Sequence, residues 1–141
     1  MFWSKKEATD TTLTGIAEKV AIEAEGLYRS GKMHCAEAVL AALRSNILPE
    51  TPPEVVWLAA GFGGGSGAGC LCGAVSGGTM AIGLVAQGDR KRAAQLTRDL
   101  HHWFREEYGA TCCKVLTVKG KSGCPHLTGR VAGKVAELLT L

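Results

Sequence analysis

The stretch GFGGGSGAGCLCGAVSGG, residues 61–78, places nine glycines around two cysteines one residue apart. Helix-like sequence lies on both sides of it, so its reading decides how the two halves of the chain are joined. A nucleotide-binding loop would set its glycines between a strand and a helix, with a lysine following in the Walker type. Gly63-Gly64-Gly65-Ser66-Gly67-Ala68 matches a loose G-x-G-x-x-A, but the preceding segment is helical in pattern and no lysine follows. A membrane span is suggested by the lack of any charged residue between Glu54 and Asp89. Eleven glycines interrupt that interval, and each costs about 1 kcal/mol against alanine in a helix interior. Lipid would also have to tolerate irregular backbone. The third reading is a backbone wrapped around thiolates: glycine adopts left-handed angles and approaches a compact charged object without a Cβ clash. Its amides would then donate to sulfur and offset negative charge. A plainer use of the same residues is helix packing, since Gly73, Gly77 and Ala81 are spaced by four.

Outward from the tract, the pattern is helical. Leu13, Ile16, Ala17, Val20, Ala24, Leu27 and Tyr28 recur at three- and four-residue steps, with Asp10, Thr11 or Thr12 as N-cap and Gly31 as a stop signal. Cys35, Ala38, Val39, Ala42 and Leu43 share a face of a second helix. Thr51-Pro52-Pro53-Glu54 reads as a capping box opening a third helix, which runs through Val55, Val56, Leu58 and Ala59 until Gly61. A fourth is expected over residues 74–86. A fifth is capped by Asp89, carries Ala93, Leu96, Leu100, Trp103, Phe104 and Tyr108, and ends at Gly109. A sixth is expected over residues 128–139. Residues 115–118 are the one stretch that could alternate as a strand. The expectation is an all-α fold: a single domain, residues 1–141, of about six helices, with the glycine-rich, cysteine-bearing loop between the third and fourth and a flexible lead-in over residues 1–10.

Composition bounds the function. With 141 residues and 46% apolar content, one core can form without disulfides. The lead-in MFWSKKEATD lacks the parts of a secretory leader, so a cytoplasmic location is expected. In a reducing compartment, six cysteines read as metal ligands or redox thiols before structural bridges. The net charge of +3 and the single basic cluster Arg90-Lys91-Arg92 give no support to nucleic-acid binding. No Ser-His-Asp set, carboxylate pair or H-E-x-x-H pattern supplies a hydrolytic mechanism.

The cysteines are Cys35, Cys70, Cys72, Cys112, Cys113 and Cys124. No two form C-x-x-C, which argues against zinc-ribbon, zinc-finger and thioredoxin sites, and no C-x-x-C-H offers a covalent haem attachment. Any one of them alone reads equally well as a small buried hydrophobe. Cys124-Pro125 is a step that also closes bacterial ferredoxin motifs.

The order Cys35 in HCAEAVL, a glycine-rich stretch, Cys72 in CGAVSG, Cys113 in CKVL, and Cys124 before a final helix resembles the C_GCAxxG_C_C family. These are small redox-active proteins with four family cysteines and a CGAxxG motif, related to the iron–sulfur part of split-Soret cytochrome c. The resemblance runs from about Leu13 to Leu139. It implies a helical domain holding an iron–sulfur cluster, [2Fe-2S] or [4Fe-4S], on Cys35, Cys72, Cys113 and Cys124, and an electron-transfer role rather than a stand-alone enzyme. Cys70 and Cys112 fall outside the four; they would be additional ligands to a larger cluster, alternative ligands, or redox thiols beside it. Around the ligands, Gly69, Gly73, His34 and His126 are the candidate second sphere, while His101 and His102 diverge by about 100° on one helix and make no chelating pair. The implied partner is a redox protein, and a homodimer near the site is a further expectation. Two other classes stay open: a structural zinc or metal-carrier protein, and a thiol-based redox or metalloid-handling protein using Cys70/Cys72 or Cys112/Cys113.

Overall fold

The three- and four-residue apolar repeats condense into helices that share one core. The structure, a computed structural model, describes residues 11–140; the lead-in over residues 1–10, with the proposed cap Asp10, lies outside them. Helix α1 (Thr11–Arg29) is followed by α2 (Cys35–Ile47), a 3-10 helix (Pro53–Phe62), a π-type turn (Gly65–Gly69), α3 (Gly73–Ala86), α4 (Arg90–Tyr108), the single-turn α5 (Cys113–Leu116) and α6 (Cys124–Thr140). The fold is all-α, and the glycine tract joins the third helical segment to the fourth.

Small residues set the closest helix contacts. A Cβ on Gly129 of α6 would stand 2.8 Å from the Ala21 carbonyl oxygen, and one on Gly133 would stand 3.2 Å from that of Ala17, so α1 and α6 meet backbone to backbone. Gly77 of α3 lies equally close to the Ala36 carbonyl of α2. Between these pairs sit Val20, Leu40, Leu43, Val75, Ile82, Leu100, Phe104, Val131 and Val135, all essentially inaccessible. The packing role expected of Gly73, Gly77 and Ala81 is seen on α3, where a Cβ on Gly73 or Gly77 would strike the start of α2 and Ala81 is fully buried.

Local chemistry explains the boundaries. The Glu37 carboxylate accepts from the His34 N–H at 3.0 Å where α2 begins. The Asp89 side chain accepts from the Arg92 N–H at 3.1 Å at the start of α4, and Gly109 ends that helix with φ +80°.

Three expectations are corrected. The third segment is a 3-10 helix: Pro52, not Thr51, holds the cap position and no side chain caps it. Its buried residues Val56 and Ala59 are three apart, which is the 3-10 repeat, and two successive prolines remove amides from the first turn. Residues 115–118 are not a strand. Val115 and Leu116 belong to α5 and residues 117–118 to the turn that ends it, where the Cys113 carbonyl accepts the Thr117 hydroxyl at 2.8 Å. Helix α6 begins at Cys124, four residues before the apolar repeat becomes visible. Pro125 is tolerated there because first-turn amides need no intrahelical partner.

Candidate functional site

The glycine tract divides into two structures. Gly64, Gly65, Ser66 and Gly67 are successive left-handed residues, with φ of +66°, +68°, +62° and +68°. The turn is closed by the Cys70 N–H donating to the Gly65 carbonyl at 2.9 Å. Such a run suits glycine, and Ser66 is its only residue with a Cβ. After it the chain extends for a few residues. Leu71 forms an isolated antiparallel bridge with Cys112, flanked by Cys72 N–H to Thr111 carbonyl at 2.8 Å and Cys113 N–H to Cys70 carbonyl. This short pairing brings the loop that carries Cys72 onto the loop that carries Cys113.

Four thiols converge where α1 ends and α2, α3, α5 and α6 begin. Cys35 is the first residue of α2, Cys72 precedes α3, Cys113 is the first residue of α5, and Cys124 is the first residue of α6. Each interacts electrostatically with at least two of the others: Cys35 with Cys72, Cys113 and Cys124, and Cys113 with Cys35, Cys72 and Cys124. Four helix starts direct their N-terminal dipoles and free amides to one region, although α5 is too short to count for much. The Gly64 and Ala36 amides donate to Cys35, and those of Ala74 and Val75 to Cys72.

Tyr28, one of the apolar-face positions of the first helix, is the residue that sequence reading missed. Its hydroxyl is hydrogen-bonded to the Cys124 sulfur, and it also feels Cys35 and Cys113. Its place at the end of a helix leading to Cys35 was the only signal. Gly73 shapes the site as well: a Cβ there would stand 2.5 Å from the Cys35 sulfur and 2.8 Å from the Phe62 carbonyl oxygen. A Cβ on Gly65 would stand 2.8 Å from Cys113 Cβ.

Cys70 and Cys112 lie on the two paired segments and make different contacts. Cys70 is exposed, and the Cys112 thiol donates to the Gly69 carbonyl at 3.2 Å. The Cys70 carbonyl accepts the Cys113 N–H, so both residues belong to the paired segments that carry Cys72 and Cys113. Gly69 itself has φ +72° and lies against Lys114. The two imidazoles proposed for the second sphere are exposed: His34 packs its Cβ on Gly63, and His126 lines a groove beside Cys124. No hydrogen bond joins either one to a thiol among the described residues. On α4, His101 Nδ1 contacts the Thr97 carbonyl at 3.0 Å and His102 faces Glu106 at 3.6 Å.

Burial pushes the Cys72 thiol up to about 12, only partly opposed by the Ala74 amide, and adds the repulsion of Cys35. Cys35 and Cys124 are also raised, chiefly by burial; the Gly64 amide opposes this for Cys35 and the Tyr28 hydroxyl for Cys124. Burial, then Cys124, pushes Tyr28 up to about 12. Without a cation these sulfurs are thiols at neutral pH. A bound metal would reverse that preference by supplying the missing positive charge.

Among the described residues no three His, Cys, Asp or Glu side chains stand close enough to hold a single metal ion. Tetrahedral zinc would need its sulfurs about 3.8 Å apart, given Zn–S near 2.3 Å. The donor set nevertheless fits a cluster: four soft thiols from separate segments, a glycine-lined approach and amides aimed at sulfur.

An all-α protein with four buried or half-buried thiols gathered at helix starts belongs to the class of cysteine-based redox proteins. The family model described as "Putative redox-active protein (C_GCAxxG_C_C)" matches residues 33–138, and the chain belongs to that family. The match begins after α1, so the helix that supplies Tyr28 lies outside it. No curated protein and no solved structure matches the chain. No helix among the described residues is long and apolar enough to cross a membrane.

Proposed function

We propose that the protein is an electron-transfer protein that holds an iron–sulfur cluster on Cys35, Cys72, Cys113 and Cys124. The observation that carries this reading is the mutual interaction of those four thiols, each at or beside the start of a different helix. A cluster bound there supplies one-electron chemistry at a potential set by its surroundings. The chain's own contributions are distinct. Gly73 lets the backbone approach Cys35; the Gly64, Ala36, Ala74 and Val75 amides donate to Cys35 and Cys72; Tyr28 donates to Cys124. Burial of Cys72, which is 6% exposed, excludes water from the inner side.

Four soft thiols drawn from separate segments, with backbone amides donating to two of them, support an iron–sulfur centre. Six free cysteines suit a reducing compartment, and we place the protein in the cytoplasm with a redox protein as partner. Serine substitution at each of the six cysteines, followed by iron and sulfide analysis, tests the ligand set.

A further inference from the structure

Beyond the thiol site, one surface next to it has a consistent chemistry. Residues 114–121, KVLTVKGK, contain Lys114, Lys119 and Lys121, all exposed, and no acidic residue occurs between Glu107 and Glu137. None of the three lysines makes an ion pair among the described residues. Between them Val115 is 56% exposed and Val118 is 79% exposed, an apolar surface on a segment where water would otherwise select polar side chains. Behind this segment lies a groove of about 400 Å³ lined by Tyr108, Val115, Leu116, Cys124, His126 and Leu127. The segment thus follows one proposed ligand, Cys113, directly in sequence, and its groove reaches another, Cys124.

We infer that residues 114–121 and this groove form the docking face for an acidic redox protein. The inference rests on the electron-transfer reading for its purpose, but docking itself depends only on the surface. Lysines at the rim with valines at the centre reproduce the layout of a protein interface, in which charge steers the encounter and apolar contact holds it. The exposed charge is of one sign, so the complementary partner is acidic. Three lysines around exposed valines favour a protein over a nucleic acid, which would need a longer basic track. Docking here places the partner beside Cys113 and Cys124, both partly exposed, whereas Cys72 is buried.

The test uses the full-length 15N-labelled protein, as purified anaerobically, with an acidic flavodoxin as probe. Amide shifts confined to residues 114–127, and binding that weakens about tenfold or more between low and physiological salt, are the expected result. Binding should also fall about tenfold or more in a Lys114→Glu/Lys119→Glu/Lys121→Glu variant of unchanged circular dichroism, and that variant should gain affinity for basic cytochrome c. Val118→Ser should weaken flavodoxin binding without changing its salt dependence. Shifts centred on exposed Trp57 and Leu58, equal binding of acidic and basic probes, or tighter binding of single-stranded DNA to the same residues would overturn the inference. Iron and sulfide content measured on the same samples separates the two claims: absence of both with docking intact removes the electron-transfer reading alone, and a full cluster with no docking removes the docking face alone.

Discussion

A Cβ on Gly73 would lie 2.5 Å from the Cys35 sulfur, so the α3 backbone passes the first residue of α2 at a point where only glycine fits. The Phe62 carbonyl oxygen, 2.8 Å from the same position, closes the other side. Gly73→Ala should therefore displace Cys35 and lower stability by about 1–3 kcal/mol, the usual cost of overpacking. Gly83→Ala in the same helix meets nothing within 4 Å and should stabilise by about 0.5–1 kcal/mol. Chemical denaturation of both variants checks the pair, and only Gly73→Ala should also lose iron.

The six cysteines should separate into two groups. Serine at Cys35, Cys72, Cys113 or Cys124 should remove most of the iron and sulfide, whereas serine at exposed Cys70 or at Cys112, engaged with the Gly69 carbonyl, should leave both near the parent level. Retention of full iron by Cys72→Ser would take that residue off the ligand set.

Tyr28→Phe removes the hydroxyl bonded to the Cys124 sulfur while keeping the ring. A donor to a ligand sulfur stabilises the more negative, reduced state, so its loss should lower the midpoint potential. With a hydrogen bond worth about 1 kcal/mol, the shift is on the order of tens of millivolts. Protein-film voltammetry on the two proteins measures it; an unchanged or raised potential would show that Tyr28 does not act on the centre.

The metal-free protein should lose stability in alkali. Cys35, Cys72 and Cys124 are raised above the usual thiol value in the folded chain, so the folded state holds protons that the unfolded state has released. That contribution is complete below pH 9 and is lost as pH rises toward the folded value, about 12 for Cys72. The slope is about 1.4 kcal/mol per pH unit for each such thiol. Urea unfolding at pH 8, 9 and 10 should give a falling midpoint; bound metal, which holds the sulfurs as thiolates at every one of these pH values, should flatten it.

Much of this was legible in the sequence because apolar repeats act locally. Leu100, Phe104, Val131 and Val135 fall on their helices at the spacing that buries them. The four-cysteine order was legible only through resemblance to a family, since nothing in spacing alone brings residues 35, 72, 113 and 124 together. Three features were hidden for physical reasons. Val56 and Ala59 form a 3-10 stripe that a four-residue window reads as α-helix. Cys124 begins a helix whose first turn faces the site and so carries no apolar repeat. Tyr28 meets Cys124 across nearly a hundred residues, a contact set by the close α1–α6 packing at Gly129 and Gly133.

The central claim is tested most directly by iron and acid-labile sulfide analysis of the anaerobically purified protein, combined with electron paramagnetic resonance after dithionite reduction. Iron and sulfide in comparable amounts, with a signal that appears on reduction and is lost in Cys113→Ser, is the expected result. Zinc without sulfide, or a protein that holds no metal and has all six thiols titratable in the native state, would contradict it.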